Sequence, residues 1–226
     1  MHNYYIEDSL RAVDAKFEAQ KIAFAPIAFQ AARALRDTGI LEAVSKSGDS
    51  GCTIREIAKK LDLSEYGVGV LLEMGLGMEL VKLRSPEGEP LFTLGKVGFF
   101  ILEDEMTRVN MDFTNDVCYH GAFSLRESVL SGKPEGLKVF GDWQTVYEGL
   151  SRLPERVKES WFAFDHFYSD IAFPEALPIV YGKKPGRLFD IGGNTAKWAI
   201  SSCKFDKDVH AVSYTHLAGD SQMTLP

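Results

Sequence analysis

One stretch constrains this chain more than any other: Arg187-Leu188-Phe189-Asp190-Ile191-Gly192-Gly193-Asn194-Thr195-Ala196-Lys197-Trp198-Ala199-Ile200. Leu188, Phe189 and Ile191 read as a short buried strand, and Ala196 to Cys203 as a helix. The glycine-rich turn between them is where a doubly wound sheet binds its ligands. Val209–Val212 reads as the next strand, which completes one βαβ unit with the right-handed crossover such units adopt.

The turn selects among ligands. A dinucleotide fingerprint needs G-x-G-x-x-G, but counting from Gly192 the later positions are Asn194 and Lys197. A phosphate-binding loop needs Gly-Lys-Ser/Thr, which is also missing there. What fits is an acid at the strand end followed by paired glycines and a small residue, D-x-G-G-x-x-small, the loop of S-adenosylmethionine sites. The reason is charge: this donor carries an ammonium and a sulfonium, not a pyrophosphate. The Asp190 carboxylate favours the ammonium, directly or through water, while Gly192 and Gly193 let the backbone approach the ligand without a Cβ. A strand-to-helix turn without any ligand is the alternative.

Upstream, residues 17–46 read as helix, with Ile22, Ala25, Phe29, Ala32 and Leu35 on one stripe and a stop at Gly39. Thr53-Ile54-Arg55-Glu56 is a capping box, and Ser64 is an N-cap. Glu79–Arg84 and Leu91–Leu94 read as strands around the turn Ser85–Gly88. Helix, turn, helix, hairpin is the order of a winged helix. The reader helix, residues 65–74, holds two acids and neither Lys nor Arg. Phosphate and base contacts need donors and positive charge there, so a packing or dimerisation module is favoured over a transcription regulator. The formal net charge of -7 points away from nucleic acid as well. Three cysteines without a C-x-x-C pair suit a reducing compartment, and no apolar run approaches the roughly 18 residues of a membrane span. A cytoplasmic protein is expected.

Residues 96–180 read as mainly helical, with a loop at Gly132–Gly136, a linker marked by Pro174 and Pro178, and a tight basic turn at Gly182–Gly186. Tyr147 to Tyr168 is the densest aromatic run. Trp161, Phe164 and Tyr168 stand at i, i+3 and i+7, and Phe162 and His166 at i and i+4 on a neighbouring face. Trp143 and Tyr147 read as packing residues, and His120 and His166 as structural histidines before they are bases.

The whole order resembles the class I S-adenosylmethionine-dependent O-methyltransferases of the plant caffeate and hydroxyindole type, over roughly residues 17–211. The resemblance is strongest at Phe189–Trp198 and at Gly149–Tyr168. It implies a mainly α, winged-helix dimerisation domain at 17–105 and a helical linker and acceptor-site segment at 106–180. The start of a Rossmann-like α/β cofactor domain then follows at 186–211. It implies a methyl transfer to a small hydroxylated, aromatic acceptor. Cofactor contacts are then expected from Asp190, Gly192, Gly193, Asn194, Phe167 and Tyr168, and acceptor contacts from Phe164, His166 and Trp161, with no metal. Apolar surface over residues 5–35 is expected to support a homodimer. The family loop usually reads Gly-Gly-Gly-x-Gly; here Asn194 and Ala196 replace two glycines, which is expected to weaken the fit without abolishing it.

The resemblance also places the catalytic base well beyond the loop and an acid at the end of the second strand. The run Asp208-Val209-His210-Ala211-Val212-Ser213-Tyr214 shows no such acid, and Asp220 lies too far on. About 40 residues follow position 186, too few for the remaining strands. Val212-Ser213-Tyr214-Thr215-His216-Leu217 and Thr224-Leu225-Pro226 also resemble a translated sequencing adapter. The expectation is a C-terminally shortened chain with a non-native tail at 212–226, so that His216 and Asp220 carry no role and the piece lacks its base. A non-catalytic dimerisation fragment is the corresponding alternative.

Overall fold

The computed structural model describes residues 8–84 and 88–214. They form two compact units that divide after Arg108.

In the first unit, α1 (Ala12–Asp37) ends where expected, and Gly39 takes a left-handed φ of 81° to turn the chain into α2 (Ile40–Lys46). α3 (Ile54–Leu61) carries the capping box in full: the Thr53 amide donates to Glu56 Oε2 at 2.8 Å, and the Glu56 amide donates to Thr53 Oγ1 at 3.2 Å. These bonds from the Thr53 amide and hydroxyl hold the Glu56 carboxyl below its usual range. Thr53→Ala is expected to cost about 1 kcal/mol, read from the urea midpoint. Ser64 caps α4 (Glu65–Gly77) through the Gly67 amide at 2.9 Å.

β1 (Val81–Leu83) and β2 (Phe92–Leu94) pair antiparallel, with Val81 opposite Leu94. Cys52 adds a one-residue bridge on the far side of Phe92. The hairpin is real but shorter than the sequence implies, and Ser85, Pro86 and Glu87 of its turn lie outside the described residues. α5 (Lys96–Glu103) follows. Leu35, Ile40, Leu41, Ile57, Val68 and Leu72 are completely or almost completely buried and form the core of this unit. The stripe on α1 splits in two: Ala32 and Leu35 are buried, while Ile22 is 77% exposed, with Phe17, Phe24 and Ile27 also open.

α6 (Glu105–Phe113) spans the division between the units. In the second unit a π-helical turn, Thr114–Cys118, leads to α7 (Leu125–Ser131), which ends on left-handed Gly132. The expected loop at Gly132–Gly136 is partly helical, since Glu135–Val139 forms a 3-10 turn. α8 (Val146–Gly149) and α9 (Glu155–Asp170) carry the aromatic run.

The linker expected at Pro174 and Pro178 is instead a helix, α10 (Phe173–Tyr181). Pro174 sits in the first turn, where an amide proton has no helical partner anyway. Pro178 lies in the interior, but Leu177 and Tyr181 are buried with Val209 and packed by Phe173, Leu188 and Trp198. That core outweighs the local preference of proline.

β3 (Arg187–Ile191) and β4 (His210–Tyr214) are parallel neighbours in full register, with α11 (Lys197–Phe205) between them in sequence. β4 runs three residues into the segment expected as a tail; His216 and Asp220 lie outside the described residues. The strand read as buried is not: Phe189 is 52% and Ile191 62% exposed. Exposed Arg187, Phe189 and Ile191 alternate with half-buried Leu188 and Asp190, so one face of β3 is open.

Candidate functional site

The turn after β3 is built by two glycines that are needed for different reasons. Gly192 has a φ of 72°, and a Cβ there would meet nothing within 4 Å, so its requirement is conformational. A Cβ on Gly193 would run into the Asp190 carboxylate and the Ser213 hydroxyl, so its requirement is space. Asp190 thus lies directly over the turn, and Ser213 Oγ donates to its Oδ2 at 3.2 Å. The Gly192 amide is committed to the Tyr214 carbonyl at 2.8 Å.

Both departures from an all-glycine loop adopt left-handed backbone, Asn194 at φ 49° and Ala196 at φ 58°. Asparagine tolerates this; alanine does not. The cost of Ala196 is therefore backbone strain at the cap of α11. Ala196→Gly is expected to raise stability by about 1 kcal/mol, visible as a higher melting temperature.

Helix α9 lies against this turn through a row of polar contacts. Asn194 Nδ2 donates to Asp165 Oδ2 at 2.6 Å, Thr195 Oγ1 and His166 Nε2 share a hydrogen bond of 3.0 Å, and Lys197 Nζ donates to Asp170 Oδ2 at 2.7 Å. His166 Nδ1 stands 3.4 Å from Asp170 Oδ1. Burial pushes the Asp170 carboxyl up, but hydrogen bonds from Lys197 and Ser169 and the charges of Lys197 and His166 outweigh it and leave it below its ordinary range.

The other end of α9 is fixed to the π-helical turn. Asp116 accepts from Ser160 at 2.7 Å, from Arg156 at 3.1 Å and from Asn115 at 2.8 Å. Burial pushes the Asp116 carboxyl up, yet these three donors and the Arg156 charge bring it below its usual value. A folded-state value below the unfolded one means that Asp116 contributes stability above about pH 4, lost as the pH falls further. Asp116→Asn is expected to flatten that part of the stability profile between pH 5 and 3, followed by thermal unfolding.

A cleft of about 630 Å³ opens between α8, α9 and the turn. Trp161, Gly192 and Asn194 of the expected site residues line it, together with Tyr147, Phe162 and Asp165. The volume is that of a small-molecule site. Asp190 and Gly193 do not line the cleft. Phe164, His166, Phe167 and Tyr168 of α9, expected as contacts, do not line the cleft. Phe164 is stacked on Phe113, with centroids 4.0 Å apart, and meets at a tilt the ring of Tyr168, whose hydroxyl donates to Asn110 at 2.9 Å. Phe167 meets Tyr168 edge-on, and the His166 ring is held by Thr195. Tyr147, expected to pack, is half exposed on the cleft; Trp143 does pack, against Gly141 and Gly149. His120 is exposed beside Tyr119. The face of α9 that lines the cleft carries Lys158, Trp161, Phe162 and Asp165, which fall at i, i+3, i+4 and i+7.

Residues 16–87 match the model of the Dimerisation2-like domain. Among solved structures, the chain is similar to the S-adenosylmethionine-dependent methyltransferase SibL. The identity is 22% and the TM-score 0.58, over 84% of this chain and 55% of that one. It is also similar to human N-acetylserotonin methyltransferase, at 14% identity and TM-score 0.62, over 92% of this chain and 60% of that one. The mitomycin 7-O-methyltransferase MmcR superposes at 14% identity and TM-score 0.65, over 89% and 58%. The chain has the fold of these methyltransferases. It spans 55–60% of their length. No curated protein matches it by sequence. The methyltransferase fold accounts for both units: a helical N-terminal domain, and the opening strands of an α/β domain. Among the described residues no cluster of His, Cys, Asp and Glu could hold a metal, and no helix is long and apolar enough to cross a membrane.

Proposed function

We propose that the second unit binds S-adenosylmethionine with its amino-acid end at the Asp190–Asn194 turn, and that the protein is a methyltransferase for a small hydroxylated aromatic acceptor. The observation that carries this reading is the cleft bounded by Ile191, Gly192 and Asn194 of the turn on one side and aromatic side chains on the other. The donor set fits a cation. Asp190 places a carboxylate against the turn, Glu148 adds one in the cleft, and Trp161 and Phe162 offer flat electron-rich walls. When bound, S-adenosylmethionine supplies a methyl group on a sulfonium, open to in-line attack.

The chain's own residues bind and orient. Asp190 attracts the ammonium, while Trp161, Phe162 and Tyr147 exclude water and align an aromatic acceptor. His166 is not the base in this reading, because its Nε2 is engaged by Thr195. The winged-helix unit serves a homodimer: Phe17, Ile22, Phe24 and Ile27 leave a wide apolar surface on α1, and α4 bears neither Lys nor Arg. The test is calorimetry of the full chain with S-adenosylhomocysteine, with NAD and ATP as controls. Saturable binding of S-adenosylhomocysteine alone supports the reading; heat from NAD or ATP alone contradicts it.

A further inference from the structure

The position where the resembling family carries glycine is occupied here by Asn194, and its side chain is engaged. We infer that Asn194 and Asp165 form a latch that sets the shape of the turn, with Asp165 a positioning residue acting through Asn194. Three features carry this. Asn194 holds a left-handed φ of 49°, a conformation that a side-chain hydrogen bond can stabilise. The 2.6 Å bond from its amide to the Asp165 carboxylate spans 29 residues, so it joins the turn to a helix and not to itself. Two later residues repeat the pattern, Thr195 to His166 and Lys197 to Asp170, so that α9 grips the exit of the turn at three points. A glycine at 194 supplies the backbone freedom but no grip. Asparagine supplies both, and it converts Asp165 from a bare carboxylate in the cleft into an anchored one.

The consequence is that cofactor affinity depends on a hydrogen bond at Asp165 more than on its charge. This inference rests on the proposed cofactor site, so its test has one arm that needs no ligand. Hydrogen exchange of the unliganded full chain follows residues 192–196. Asp165→Ala is expected to speed exchange there about tenfold, and Asp165→Asn, which still accepts from Asn194, to leave it within about twofold. Unchanged exchange in Asp165→Ala overturns the latch whether or not the protein binds the donor.

The second arm measures S-adenosylhomocysteine affinity. Asp165→Ala is expected to weaken it about tenfold, Asp165→Asn less than about threefold, and Asn194→Gly to add little in the Asp165→Ala background, the non-additivity of two residues acting as one. If Asp165→Asn loses as much as Asp165→Ala, or if the two losses simply add, Asp165 acts as a direct charge contact and the latch is wrong. Wild-type protein that binds no S-adenosylhomocysteine refutes the cofactor site and leaves the exchange arm to decide the latch.

Discussion

Asp190→Asn is expected to weaken S-adenosylhomocysteine binding about a hundredfold, close to 2.7 kcal/mol, while leaving the melting temperature nearly unchanged. The asparagine keeps the shape that sits over Gly193 and can still accept from Ser213, so the turn retains its form. What it removes is the negative charge offered to the ammonium. Alanine would be the poorer test, since it also empties the space that makes Gly193 necessary. A small effect of Asp190→Asn on affinity, measured by calorimetry, would mean that the carboxylate serves only the turn.

Gly193→Ala should damage the molecule through a different cause. Its Cβ would run into the Ser213 hydroxyl and the Asp190 carboxylate, so either the strand ends or the turn must move. A loss of about 1–3 kcal/mol in stability is expected, the range for overpacking, together with at least a tenfold loss of affinity. Gly192→Ala is the informative comparison. Nothing lies within 4 Å of its Cβ position, so its cost is the left-handed φ alone, about 1–2 kcal/mol. Thermal unfolding of the pair separates crowding from conformation: clearing both neighbours with Asp190→Ala and Ser213→Ala together should rescue Gly193→Ala and leave Gly192→Ala as it was.

The sequence is most legible where the determinants are local. The stop at Gly39, the capping box at Thr53 and the cap at Ser64 each depend on residues within a few positions of one another, and each is present. The left-handed Asn194 follows from its own side-chain chemistry. Where distant residues decide, local reading fails. Proline at 174 and 178 is a poor helix signal by itself, yet the helix forms because Leu177 and Tyr181 bury against Val209, about thirty residues away. The apolar triplet Leu188, Phe189 and Ile191 looks fully buried, but only Leu188 packs against that core.

The site shows the same division. The turn is readable because acid, glycines and helix are contiguous. The contact face of α9 is not, because its orientation is set by Phe113 and Asp116, which lie some 45–50 positions earlier. Phe113 takes the Phe164 ring out of the cleft, and Ser160 and Arg156 on Asp116 fix the rotation. Periodicity gives several possible faces for an aromatic helix and cannot choose among them.

The central claim is that the donor's amino-acid end rests at the Asp190–Asn194 turn within the aromatic cleft. A crystal structure of the full chain with S-adenosylhomocysteine tests it most directly. The account predicts the ammonium at the Asp190 side of the turn, bound directly or through one water, with Trp161 and Phe162 beside the thioether. The ligand seated elsewhere, or a turn closed against Trp161 in crystals that contain it, would contradict the account.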